Sequence, residues 1–240
     1  MGNELRYIGD AIKVMSKMGN NTYGAVVTSP PYNIGINYGD FKDNKPDVEY
    51  QNFTKDWVSQ SLRVAPVAVV NFGAPTSSAV NLAKFMVAVS EVGVIQSHIT
   101  WIKSVSTEDW SYGHFKPVNS KRYLTNIHES VFIISREGDF ELDRLAVGVP
   151  FKDKSNIKRF KANQSDVRCR GNVWYVPYPT RTVKQNHPAS YPLELAKMMI
   201  GITGVKSKIL DPFIGSGTTE LAAKELGLEC DGIDIRNWND

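Results

Sequence analysis

Short apolar runs rich in valine and isoleucine recur along this chain, and segments of helical period separate them. That alternation admits few folds and predicts an α/β sheet. Strands are expected over Leu5–Gly9, Gly24–Thr28, Val67–Phe72, Ile95–Ile102, Ser130–Ser135, Lys208–Leu210 and Cys230–Ile235. Helices are expected over Ala11–Met18, Tyr50–Val64, Ser77–Val89, Pro192–Ile202 and Thr218–Leu226. Pro192 suits a first helical position, and Gly227 follows the last periodic residue of its helix. The stretch from Gly138 to Asn186 has weak periodicity and many turn residues, so it reads as an insertion rather than part of the sheet. The chain's 240 residues can bury one large core with a small insertion. No apolar run reaches the length of a membrane span. The opening Met1–Arg6 lacks both a basic and an apolar secretory region. Two cysteines, Cys169 and Cys230, fit a reducing compartment, and a cytoplasmic location is expected.

One of the expected strands, Ala25-Val26-Val27, runs straight into Thr28-Ser29-Pro30-Pro31-Tyr32-Asn33. Consecutive prolines fix φ twice and remove two backbone donors, so this segment can neither extend a ladder nor begin an ordinary helical turn. What remains is a stiff array of acceptors, carbonyl oxygens and the Ser29 hydroxyl, with the Tyr32 ring beside them. Such an array suits a ligand that donates hydrogen bonds and has a flat face.

A second motif runs from Lys208 to Gly227, where a strand ends at Asp211, a loop carries Gly215 and Gly217, and a helix begins near Thr218. Glycines there allow a tight turn and close approach to a ligand, and the helix start offers N–H groups. The loop lacks the lysine of a phosphate-cradling motif and is not a full dinucleotide fingerprint. Asp234 lies near the end of the following strand, at the offset where an acidic residue holds a ribose diol. Asp211, the glycine loop and Asp234 together point to an adenosine-bearing cofactor without a pyrophosphate.

Net charge is +3, but charge is unevenly spread. From Lys152 to Lys184 there are nine Lys or Arg against Asp153 and Asp166, with Phe160, Trp174, Tyr175 and Tyr178 interleaved. Contact with a polyanion and a solvated basic loop both fit that pattern.

The pair "TSPPYN" and "LDPFIGSGTT" resembles the S-adenosylmethionine-dependent DNA amino-methyltransferases, and its order resembles their circularly permuted β class. "YIGDA" (Tyr7–Ala11), "ITWIK" (Ile99–Lys103), "NIHESVFIIS" (Asn126–Ser135) and "NHPASYPLELAKMMI" (Asn186–Ile200) resemble further elements of the family. The run "APVAVVNFG" stands where the family has a glycine-containing turn, a departure expected to matter little for chemistry. The resemblance implies a Rossmann-like, seven-stranded, mostly parallel sheet with helices on both faces. It divides the chain into a catalytic half (1–137), a target-recognition insertion (138–185) and a cofactor half (186–240).

By the same resemblance, Ser29, Pro30, Pro31 and Tyr32 are catalytic. Asp10, Ala11, His187, Asp211, Phe213, Gly215, Ser216, Gly217, Thr218, Thr219 and Asp234 bind S-adenosylmethionine. Lys158, Arg159, Lys161, Arg168 and Arg170 meet duplex DNA from which the target nucleotide is flipped. Ser29 and the Pro30 carbonyl would accept hydrogen bonds from the base amine, and Tyr32 would stack on the base. No Pro-Cys pair is present for carbon-5 chemistry, and no spacing suits a metal. His128-Glu129, just before a strand, reads as structural. In the family, a serine before Pro-Pro goes mostly with cytosine N4, so that is the expected target. Adenine N6 is the alternative, followed by RNA or protein amide methylation and a non-catalytic DNA-binding module. A homodimer and a cognate restriction endonuclease are further partners the family allows.

Overall fold

The computed structural model describes residues 5–38, 41–113, 118–154, 166–178 and 191–236. Eight strands form one sheet: β1 (Arg6–Ile8), β2 (Ala25–Thr28), β3 (Val67–Phe72), β4 (Val94–Ile102), β5 (His128–Ser135), β6 (Val173–Tyr175), β7 (Ile209–Asp211) and β8 (Cys230–Asp234). Across the sheet the order is β1-β8-β7-β2-β3-β5-β4-β6. Every neighbouring pair is parallel except the two that involve β5, so β5 alone runs against the rest.

The inner strands are apolar on both faces, as a covered parallel sheet requires. Val67 and Val69 point into one core, and Ala68 and Val70 into the other. The first core is roofed by α4 (Leu193–Gly201) and α5 (Thr218–Glu225) through Leu195, Met199, Ala222 and Ala223. The second lies under α1 (Ala11–Met15), α2 (Asp47–Val64) and α3 (Val80–Ser90), which contribute Met15, Trp57, Leu62 and Phe85. Each fully buried valine there contributes about 1.5–3 kcal/mol relative to exposure. Among the described residues, no helix is long and apolar enough to cross a membrane.

The expected seven strands are one too few. The eighth, β6, comes from inside the segment read as an insertion and pairs in parallel with β4 along Thr100–Ile102. Its three residues are too few to display a period, and Gly171, Asn172 and Pro177 around it signal turns. Tertiary packing holds it: Trp174 is fully buried, and the Trp101 indole donates to the Val176 carbonyl at 2.8 Å.

Candidate active site

The central pair β7 and β2 sets the site. They are adjacent and parallel, although their residues lie about 180 positions apart in sequence. Both therefore release their loops at the same edge of the sheet, where ligands of open α/β sheets bind. The two loops are tied together: the Thr28 hydroxyl at the end of β2 donates to Asp211 at the end of β7 at 2.6 Å. Asp211 also receives the Phe213 N–H at 3.0 Å and the Thr219 hydroxyl, which joins the start of α5 to the same carboxylate. Burial pushes the Asp211 carboxyl up to about 6, against these three donors, which favour its charged form.

Beyond this knot lies one open cavity, about 1150 Å³ when the space open to solvent at its mouth is included. Ser29, Pro30, Pro31 and Tyr32 line one end, and Asp211, Phe213, Gly215, Ser216, Thr218, Thr219 and Asp234 line the other. Asp10 and Ala11, which begin α1 behind β1, line it as well.

The proline loop is braced from several sides. The Pro31 carbonyl accepts the Tyr50 hydroxyl of α2 at 2.6 Å. Asn33, at φ 59°, occupies the left-handed region. Buried Asp43 holds that turn by accepting the N–H groups of Asn33 (2.8 Å), Ile34 (3.1 Å) and Ile36 (2.9 Å). Ser29 Oγ and the Tyr32 hydroxyl lie 2.7 Å apart, and Tyr32 donates to Asn71 Oδ1 at 2.8 Å. The Tyr32 ring rests on Gly73, where a Cβ would come within 2.8 Å of it, so only glycine leaves the ring its place.

At the opposite end, Asp234 terminates β8. Its two oxygens accept the Gly215 and Arg236 N–H groups, both at 2.9 Å, which fixes the turn against the strand end. Asp10 caps α1 through the Lys13 N–H at 2.9 Å while facing the cavity. Gly217 does not line the cavity. It caps α5 at φ 87°, and a Cβ there would lie 2.5 Å from the Arg6 guanidinium, so its part is to shape the turn.

Of the other residues expected to act, His187, Lys158, Arg159 and Lys161 fall outside the described residues. Arg168 is exposed on a two-stranded ribbon (Val149–Pro150 with Val167–Arg168). Arg170 Nε donates to the Val147 carbonyl at 2.8 Å inside the same segment. Cys169 is exposed and Cys230 buried, neither is in a disulfide, and neither lines the cavity.

The structure adds cavity residues that the sequence reading missed: Phe53, Asn71, Trp101, Glu129, Tyr178 and Tyr191. Asn71 lies in the very run expected to matter little, and a lone amide in an otherwise apolar, fully buried strand was its available signal. Glu129 faces the cavity rather than serving only the fold. It pairs with Lys103 at 3.0 Å and accepts from Asn71 Nδ2 at 3.1 Å. Tyr191 approaches Thr219 Oγ1 at 2.5 Å, and burial raises its hydroxyl well above the ordinary tyrosine range.

Among the described residues the lining holds four carboxylates (Asp10, Glu129, Asp211 and Asp234) and neither lysine nor arginine. Such a wall repels phosphate and favours a cation. It combines a hydrogen-bond-accepting end with an acidic end bearing a glycine turn, within one continuous space.

Comparison with known proteins agrees. The chain is 27% identical over 237 residues to the type II methyltransferase M.HpaI of Haemophilus parainfluenzae, covering 94% of this chain and 68% of that protein. It is 24% identical over 250 residues to the DNA adenine methyltransferase YhdJ of Escherichia coli (strain K12), covering 98% and 80%. Its fold matches the solved PvuII DNA methyltransferase (cytosine-N4-specific) with a TM-score of 0.71 at 17% identity, over 98% of this chain and 83% of that one. A family profile described as "N6_N4_Mtase: DNA methylase" matches residues 24–238, nearly the whole sequence, and the chain therefore belongs to the N6/N4 DNA methylase family.

Proposed function

We propose that this protein transfers a methyl group from S-adenosylmethionine to the exocyclic N4 of a cytosine flipped out of duplex DNA. The observation that carries this reading is the shared cavity: the Ser29-Pro30-Pro31-Tyr32 loop at one end, Gly215 and Asp234 at the other, and no cationic side chain in its described lining. The residues present fit the cofactor. Acidic groups suit its sulfonium and amino charges, Asp234 at a strand end suits a ribose diol, and Phe53, Phe213 and Ile235 supply apolar wall for a purine. When bound, the cofactor supplies an electrophilic methyl carbon.

The protein's own part is positioning. An aryl amine is a weak nucleophile because its lone pair is delocalised into the ring. The Ser29 hydroxyl and the Pro30 carbonyl would accept its two N–H bonds and turn the lone pair toward the methyl group. The double proline and the Tyr50 and Asp43 braces fix these acceptors before the substrate arrives, so no reorganisation is needed during reaction. A base inside a duplex cannot enter such a cavity, hence the flipping.

Adenine N6 is the second reading, favoured by the likeness to an enzyme named as a DNA adenine methyltransferase. Incubation with labelled cofactor and DNA, followed by digestion to nucleosides, separates the two: N4-methylcytosine is expected, and methyladenine as sole product would overturn the cytosine assignment. We assign 1–137 to the catalytic half, 138–185 to target recognition and 186–240 to the cofactor half. Lys158, Arg159, Lys161 and Arg168 remain the proposed phosphate contacts, so DNA affinity should fall steeply with salt. Arg170, tied to Val147, should contribute little to that slope.

Asp234→Ala should raise the dissociation constant for S-adenosylmethionine at least tenfold, about 1.4 kcal/mol, with DNA affinity kept. Calorimetric titration checks it, with the melting temperature as control for the loss of the Gly215 bond.

A further inference from the structure

Amine methylation leaves a proton to be placed. The nitrogen lone pair forms the new N–C bond, the S–C bond pair stays on sulfur, and the positively charged nitrogen must lose one proton. Ser29 can accept a hydrogen bond but cannot keep that proton, and an amide carbonyl such as Pro30 is a worse base still. We propose that Glu129 is the terminal acceptor of this proton, reached through the Ser29 and Tyr32 hydroxyls. This inference rests on the amino-methyl transfer reading.

The geometry forms a continuous path. Ser29 Oγ lies 2.7 Å from the Tyr32 hydroxyl, and that hydroxyl lies 3.5 Å from Glu129 Oε2. Asn71 sets the direction. Its Nδ2 donates to Glu129 Oε2 at 3.1 Å and to the Ser130 carbonyl at 3.2 Å, so its Oδ1 must face the hydroxyls. At rest Tyr32 donates to that oxygen at 2.8 Å. An amide oxygen is a far weaker base than the carboxylate beside it, and the methylated amine is a cation that must give its proton up. The relay balances: the amine N–H passes to Ser29, the Ser29 proton to Tyr32, and the Tyr32 proton to Glu129. Both hydroxyls end as they began, and Glu129 later releases its proton to water.

The surroundings hold the carboxylate in place. From the end of β4, Lys103 places its ammonium 3.0 Å from Glu129 Oε1, and both side chains are less than one-fifth exposed. From the other elements packed nearby come the neutral amide of Asn71, the Tyr32 phenol and the Tyr178 phenol, whose residue donates its backbone N–H to the Lys103 carbonyl at 3.2 Å. The other described carboxylates of the cavity are engaged at its far side: Asp211 by Thr28, Thr219 and Phe213, Asp234 by Gly215 and Arg236, and Asp10 by Lys13.

Glu129→Gln keeps the size and the acceptor for Asn71 but cannot take a proton. Its single-turnover methylation rate should fall at least 100-fold, while cofactor and target-DNA dissociation constants, read by tryptophan fluorescence, stay within threefold of wild type. Tyr32→Phe should lose a comparable factor, and the double variant little more than either alone. Formate should restore at least tenfold of the rate to Glu129→Ala and nothing to Glu129→Gln, which leaves no space for it. The proposal is overturned if Glu129→Gln turns over within threefold of wild type, if its loss lies wholly in the dissociation constants, or if formate gives no rescue. Wild-type protein that methylates no DNA would instead sink the methyl-transfer reading itself.

Discussion

Ser29→Ala is expected to lower the single-turnover methylation rate by 100- to 1000-fold while cofactor affinity and melting temperature stay at wild-type values. The size follows from what the hydroxyl would do: it is one of two fixed acceptors aimed at the reacting amine, and removing one preorganised polar group from such a site costs about 2.7–4 kcal/mol of transition-state stabilisation. The selectivity follows from the fold. Ser29 bonds to Tyr32 at 2.7 Å and reaches Asn71 at 3.5 Å, and both of those keep each other when it is gone, because Tyr32 donates to Asn71 at 2.8 Å. The braces of the loop run through Pro31 and Asn33, so the backbone should hold its course. Substrate DNA with single-turnover quench sampling measures the rate, and calorimetry measures cofactor binding. A loss below tenfold would mean that Ser29 does not meet the amine. Ser29→Thr adds a methyl group beside Pro30 and should recover only part of the rate.

The sheet was legible because its inner strands bury both faces. Val67–Phe72 reads as a strand from composition alone, and the structure gives the same bounds. The helices shift by a few residues where their ends are polar: α2 starts at Asp47, with Asp47 and Glu49 in its first turn, three residues before its first buried position, Tyr50. What the sequence hid was held by long-range contacts. Strand β6 exists through Trp174 and Trp101, and nothing local announces it. The proline loop and the glycine turn were legible as motifs, because double proline and paired glycines have local consequences. Asn71 and Glu129 were not. Asn71 is the one polar residue of its strand and Glu129 sits between His128 and Ser130 in another, and only pairing β5 beside β3 brings both to the Tyr32 hydroxyl.

Asp211 has the second large expected effect, and it appears as a pH dependence. Burial pushes its carboxyl up to about 6 in the folded protein, from 3.8 in an open chain. Between those values the folded state binds more protons than the unfolded one, so stability falls as pH rises toward 6 and beyond. The whole difference is about 3 kcal/mol, nearly half of which is lost between pH 5 and 7.5. Asp211→Asn removes that dependence while keeping an acceptor for Thr28 and Phe213, and Thr219 can turn its hydroxyl to Tyr191. Urea unfolding at the two pH values should therefore show wild type losing about 1 kcal/mol more than the variant, and equal losses would refute the burial argument. The cost has a functional counterpart. A buried carboxylate that is expensive to ionise becomes cheaper to ionise when a cation enters the cavity, so near pH 6 binding of S-adenosylmethionine should expel protons. Calorimetry in buffers of different ionisation enthalpy counts them. The demethylated thioether product lacks the sulfonium charge and should expel fewer, and Asp211→Asn should equalise the two ligands. If both ligands release the same number of protons from the wild-type protein, Asp211 does not sense the charge that methyl transfer removes.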